Sequence, residues 1–113
     1  MQTIFFGIVK ELLDVRDYMR LVTIPAWIGD SEETAPWKEK VSKASAAYIL
    51  ILPEYNHSFP GELKIVWDSA CSEYFVKKIV VVTVSSGGFG GVRALYSMLP
   101  IFQTCQLNVA GSV

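Results

Sequence analysis

The 113-residue sequence has no apolar run approaching the ~20 residues that span a bilayer, which argues against a membrane helix. Residues 1–9 are apolar, but no basic segment precedes them and no cleavage-site pattern follows, so they do not read as a secretory leader. An excess of charge of one sign is lacking too. Ten basic and eleven acidic residues are interspersed and leave a net charge of −1, which excludes a general nucleic-acid or anionic-membrane binder. The two cysteines, Cys71 and Cys105, are far apart and in no Cys-x-x-Cys or zinc-type spacing. They read as reduced, buried thiols, and no metal site is expected. No repeat, low-complexity tract or linker divides the chain, so a single domain over residues 1–113 in a cytoplasmic, reducing setting is the expectation.

What is present is apolar. Hydrophobic residues make up 51% and charged ones 19%, enough for buried strands and an ordinary core. Residues 1–13 are apolar at a spacing that fits a helix face, although residues 4–9 also suit a strand. Residues 12–16 read as a short strand, and residues 20–34, with Pro25, Gly29 and several acids, read as loop. Pro36 can open a helix whose apolar face is Trp37, Val41 and Ala44. Residues 47–52 and 79–84 are continuous apolar runs, which suit strands buried on both faces. Between them, Pro60 starts a helix, with Ser58 available as its cap. Its face is Leu63, Val66, Trp67, Ala70, Cys71 and Tyr74. A further helical face, Val92, Leu95, Tyr96, Leu99 and Phe102, is interrupted by Pro100, and a last strand starts near Leu107. Alternating strands and helices with fully apolar strands predict an α/β fold, a parallel sheet covered by helices on both faces.

Ligands of open parallel sheets bind outside the carboxyl ends of the strands. Two loops belong there. The first, Pro53-Glu54-Tyr55-Asn56-His57-Ser58-Phe59-Pro60-Gly61, packs an aromatic ring, an amide and hydroxyls into one turn, groups that cover a flat ring and bond its polar edge. The second, Ser85-Ser86-Gly87-Gly88-Phe89-Gly90-Gly91, lets backbone N–H groups approach a ligand closely, ahead of a helix N-terminus that favours an electron-rich acceptor. Alone, the glycine loop is also what a flexible strand-to-helix connection looks like.

The sequence of residues 53–64, continuing through Asp68, resembles the signature of the NADPH-dependent FMN reductases. This flavodoxin-like family includes azoreductase-like, quinone-reductase-like and chromate-reductase-like flavoproteins. Ser86-Gly87-Gly88-Phe89-Gly90-Gly91-Val92-Arg93-Ala94 extends the match, and Asp14-Val15-Arg16-Asp17-Tyr18 is similar to the family's segment after its first helix. The resemblance implies a flavodoxin-like three-layer sandwich. It also implies bound FMN, NADPH or NADH as co-substrate, a small-molecule electron acceptor, and hydride transfer that needs no protein acid or base. Pro53, Glu54, Tyr55 and Asn56 would lie along the flavin ring, and Gly87, Gly88, Phe89 and Gly90 would give backbone contacts at its pyrimidine end. No catalytic residue is singled out.

The sequence also departs from that family. No Gly-Ser-x-Arg-x-x-Ser-like phosphate loop occurs; residues 1–10 hold only Thr3 and Gly7 as material for one, and Ile65 stands where the family's helix carries Asn. The fold is therefore expected to be incomplete at both ends. The chain is expected to bind FMN weakly and to discriminate little between FMN and riboflavin. The alternative is a non-catalytic flavin- or protein-binding remnant of the same fold. Trp67, Tyr74 and Phe75 exceed one helical stripe and suggest a homo-oligomer, a dimer or a tetramer.

Overall fold

The computed structural model describes residues 11–44 and 47–113. The helix face or strand read over residues 1–10 lies outside the described residues, as do Thr3 and Gly7. Two 3-10 turns, Val15–Tyr18 and Ala26–Ile28, lead into α1, Ala35–Lys43. Then follow β1 (Ala47–Pro53), α2 (Gly61–Trp67), a 3-10 turn at Ser72–Tyr74, β2 (Lys78–Val84), α3 (Val92–Thr104) and β3 (Asn108–Ser112). The fold is α/β and flavodoxin-like, and the three strands form one parallel sheet in the order β1-β2-β3. None of the described helices is long and apolar enough to cross a membrane.

The register sets Tyr48 beside Ile79, Leu50 beside Val81 and Leu52 beside Thr83. Side chains alternate along a strand, so these residues share one face. Leu50, Leu52, Ile79 and Val81 on that face are buried and join the core that α1, α2 and α3 cover through Trp37, Val41, Leu63, Val66, Ala94, Met98 and Phe102. Two successive right-handed crossovers running the same way across a sheet place their helices on one side. Trp67 of α2 accordingly lies 5.8 Å from the Phe102 ring of α3. On the opposite face Ile49, Ile51, Val80 and Val82 are half-buried.

Four local readings are corrected. Residues 12–16 form no strand; Asp14 instead caps a 3-10 turn, its carboxylate accepting the Arg16 N–H at 3.0 Å. The helix after Pro60 stops at Trp67 rather than running on to Tyr74. Ser69 Oγ donates to the Val66 carbonyl at 2.7 Å and the following amides bond three residues back, which tightens the chain out of the α-helix. Trp67 and Tyr74 are therefore core residues, 5% and 1% exposed, and not the surface aromatics from which an oligomer was argued. Ser58 is no cap for α2, whose N-cap is Pro60 without a side-chain bond. Pro100 does not interrupt α3. It removes one donor, but Pro100 and Tyr96, whose carbonyl loses that donor, are both exposed, so water can take the carbonyl while Ala94, Met98 and Phe102 keep the buried stripe.

Candidate functional site

The first loop leaves β1 at Pro53 and folds at once into a tight turn. Tyr55 N–H donates to the Ser58 carbonyl at 2.9 Å and Ser58 N–H returns to Tyr55 at 3.0 Å. Both central residues, Asn56 (φ 48°) and His57 (φ 63°), are left-handed, which is the geometry of a type I′ turn. The turn presents Tyr55, Asn56 and His57 to solvent, with Tyr55 62% exposed.

The second loop leaves β2, the neighbouring strand, at the same end. Ser85 Oγ accepts the Gly87 N–H at 3.0 Å and so bends the start of the loop. Thr83 Oγ1 donates to the Gly90 carbonyl and pins its end. The amides of Gly88, Phe89 and Gly90 find no acceptor among the described residues. A Cβ at Gly88 or Gly90 would meet nothing within 4 Å, so the space in front of them is open. Phe89 is 68% exposed beside it. Gly91, at the N-cap of α3, is different: its φ is 79° and a Cβ there would come within 2.9 Å of Thr83 Cβ.

Three contacts join the loops. The Glu54 carboxylate accepts the N–H groups of Arg93 at 3.1 Å and Ala94 at 3.2 Å through one oxygen, Oε2. Glu54 N–H donates to the Val84 carbonyl at 2.8 Å. The Arg93 guanidinium donates to His57 Nε2 at 3.4 Å and stacks over the Phe89 ring at 4.6 Å. Of the residues singled out in the sequence, Tyr55, Asn56, Gly87, Gly88, Phe89 and Gly90 are all exposed around one shelf, and Pro53 is half-buried behind it. Glu54 is directed at α3 rather than outward. Sequence reasoning missed Thr83 and Ser85, whose hydroxyls shape the glycine loop; both are polar residues at the end of an apolar strand, which is the signal that was present.

The shelf suits a flat ring. Gly88, Phe89 and Gly90 are exposed and their amides have no acceptor among the described residues, and the facing turn exposes the Asn56 amide and the Tyr55 ring. These are the donors that an electron-rich heteroaromatic edge requires. Among the described residues no cluster of three or more His, Cys, Asp or Glu could hold a metal ion. A concavity of about 470 Å³ is lined by Tyr18, Arg20, Leu21, Val22, Glu33 and Pro36 among others; none of its lining residues belongs to the two loops.

The model of a family described as NADPH-dependent FMN reductase matches residues 4–113. The chain is 39% identical over 57 residues to an NADPH azoreductase of Bacillus sp. strain OY1-2, a match covering 50% of this chain and 32% of that protein. It is 30% identical over 94 residues to the NAD(P)H-dependent FMN reductase LOT6 of Saccharomyces cerevisiae, covering 80% of this chain and 48% of that protein. The chain thus spans a third to a half of the length of these relatives.

Proposed function

The chain belongs to the NADPH-dependent FMN reductase family, and from that premise we propose that it binds FMN on the shelf between residues 53–58 and 85–91 and serves as a flavin-dependent oxidoreductase. Bound FMN would take a hydride from NADPH or NADH and pass the electron pair to a small acceptor such as a quinone or an azo compound. The observation that carries the reading is the set of exposed amides at Gly88, Phe89 and Gly90 that have no acceptor among the described residues, on a loop joined to the Tyr55–Ser58 turn through Glu54 and Arg93.

Each residue has a definable task. The amides of Gly88, Phe89 and Gly90 would donate to the pyrimidine edge of the ring, where negative charge gathers on reduction. The Asn56 amide would bond the same ring from the facing turn. Tyr55 and Phe89 would cover apolar ring surface and hold water off it. Arg93, half-buried and without a carboxylate partner among the described ion pairs, would attract an anionic group of the co-substrate or acceptor. No side chain of the two loops is required as an acid or base. Protons taken up with the electrons can come from water, because the shelf is open.

The test is a titration of the purified chain with FMN and with riboflavin, read by quenching of flavin fluorescence. NADPH consumption is then followed with a quinone present. Saturable quenching together with flavin-dependent NADPH loss supports the reading. Quenching without NADPH loss assigns the non-catalytic flavin-binding alternative, and no quenching by either flavin refutes both flavin-binding readings.

A further inference from the structure

Glu54 is the residue whose position the sequence did not anticipate. It follows the last residue of β1, inside the loop proposed to lie along the ring, yet its carboxylate is spent on the first turn of α3. An α-helix leaves its first N–H groups without intrahelical partners. Gly91, the N-cap of α3, has no side chain to supply an acceptor and makes no side-chain cap bond. Glu54 supplies it from 39 residues away to the Arg93 N–H, which has no other acceptor among the described residues, and from 40 residues away it shares the Ala94 N–H with the Gly91 carbonyl, 3.1 Å from that amide.

The consequence is mechanical and electrostatic. The glycine loop runs directly into α3, so wherever the first turn of α3 is held, the Gly88–Gly90 amides are held with it. Glu54 N–H on the Val84 carbonyl fixes the other end of the same lever to β2. The carboxylate also places a full negative charge on a helix terminus that otherwise carries about half a positive charge. Ligand N–H donors in this loop therefore act with a counter-charge behind them.

We propose that Glu54 is a positioning residue of the flavin site. Its carboxylate clamps the α3 N-terminus, and with it the glycine loop, against the Tyr55–Ser58 turn, and its charge tempers the positive end of α3 that the ring would otherwise feel. This rests on the proposed flavin site. It assigns to Glu54 neither a ring contact nor a general-base role.

The experiment compares wild type, Glu54→Gln and Glu54→Ala as full chains. Glutamine keeps an acceptor oxygen and loses the charge; alanine loses both. In the flavin-free protein, amide hydrogen exchange at Arg93, whose N–H has Glu54 as its acceptor, is read by NMR. It should be about tenfold faster in Glu54→Ala than in wild type and restored in Glu54→Gln, as loss of a bond worth about 1–1.5 kcal/mol implies. With riboflavin and FMN, Glu54→Ala should bind both about tenfold more weakly and Glu54→Gln within about threefold of wild type. The midpoint potential of bound flavin should move to more positive values in Glu54→Gln, because an electron then enters a site with one negative charge fewer. A scaffold contact of no consequence for the site would leave that potential in place. Unchanged exchange in Glu54→Ala, unchanged flavin affinity in Glu54→Ala, or an unmoved potential in Glu54→Gln overturns the proposal. If wild type binds neither flavin, the flavin reading and the role given to Glu54 in it both fall, and the exchange data then show whether the clamp exists without that role.

Discussion

The indole N–H of Trp37 donates to the hydroxyl of Tyr74 across 2.7 Å, inside the core, 37 residues apart in sequence. Tyr74 passes the polar link on, its hydroxyl lying 3.2 Å from the Trp67 carbonyl, while its ring stacks on the Trp67 ring at 4.4 Å. This is how a loosely connected layer is joined: α1 reaches the 3-10 turn after α2 through one hydrogen bond at the end of a large aromatic body.

Removing the hydroxyl leaves the shape and strands the polar groups. Tyr74→Phe buries an unsatisfied Trp37 N–H, which costs about 1–3 kcal/mol. The checking measurement is urea unfolding followed by tryptophan fluorescence, with a lowered midpoint and an unchanged slope. A midpoint equal to that of wild type would mean that water reaches the indole N–H.

The same phenol sets a pH dependence. Burial pushes the Tyr74 hydroxyl well above its ordinary value of 10, and burial raises Tyr48 as well. A group whose folded pKa is raised gives stability that is complete below the unfolded pKa and is lost as pH climbs from there toward the folded value. The phenols' contribution should therefore be flat up to about pH 9.5 and fall above it, by up to about 1.4 kcal/mol per pH unit for each. Cys105, also raised by burial, adds in the same direction. Lys77, lowered by burial, opposes it up to its own unfolded pKa, and its shift is the smaller. Thermal melts across pH 8 to 11.5 at fixed ionic strength test the sum. A melting temperature that holds or rises above about pH 10 contradicts it.

α3 ends in a motif that normally carries glycine. Gln106 N–H donates to the Gln103 carbonyl at 3.0 Å and Leu107 N–H to the Phe102 carbonyl at 2.9 Å, the paired bonds of a Schellman cap. The residue at the left-handed position is Gln106, with φ 51° and an exposed side chain. A non-glycine residue there costs about 1–2 kcal/mol in backbone strain, offset in part by the greater freedom of unfolded glycine. Gln106→Gly should stabilise the fold by about 0.5–1 kcal/mol and raise the melting temperature by a few degrees. A decrease would show that the Gln106 side chain contributes something its exposure conceals.

That cap also shows where sequence reading stops. Residues 47–52 and 79–84 were legible as adjacent parallel strands because largely apolar runs have few other stable uses, but among the described residues only 79–84 is an inner strand; 47–52 lies at the edge of the sheet, and one face of each is half-buried. The two site loops were legible because their composition is unusual and a family shares it. The end of α2 was not legible, since Ala70, Cys71 and Tyr74 continue the helical spacing although tight turns carry them, with Ala70 and Tyr74 buried and Cys71 half-buried. Gln106 gives no sign of left-handed backbone, since glutamine has no preference for it and the cap bonds hold it there, whereas Asn56 and His57 belong to the residue types that tolerate that region and sit in a turn closed by its own flanking bonds. Glu54 was placed on the ring because a local motif cannot report a partner 40 residues away.

Asn56 separates side chain from backbone. It is exposed and left-handed, so alanine would add strain, whereas glycine keeps the turn and removes only the amide. Asn56→Gly should leave the melting temperature within a degree or two and weaken flavin binding by about 1–2 kcal/mol, one hydrogen bond to a ring edge. Isothermal titration with riboflavin checks it. Equal affinity would place the polar edge of the ring elsewhere.

The last prediction contrasts two glycines three residues apart. At Gly91 the backbone is left-handed and an added Cβ would sit 2.9 Å from Thr83 Cβ on the neighbouring strand. Gly91→Ala therefore combines strain with overlap and should destabilise the fold by about 2–4 kcal/mol, whether or not flavin is present. At Gly88 the backbone does not require glycine, and a Cβ meets nothing within 4 Å. The free protein has room for a valine there, so Gly88→Val should fold with stability within about 0.5 kcal/mol of wild type. That open room is the space assigned to the ring. Gly88→Val should accordingly bind riboflavin and FMN at least tenfold more weakly, about 1.4 kcal/mol, while melting normally. The pair of measurements, melting without flavin and fluorescence quenching with it, places the two variants in opposite quadrants. Flavin affinity that survives valine at Gly88 would move the ring away from the glycine loop, and with it the roles given to the Gly88, Phe89 and Gly90 amides.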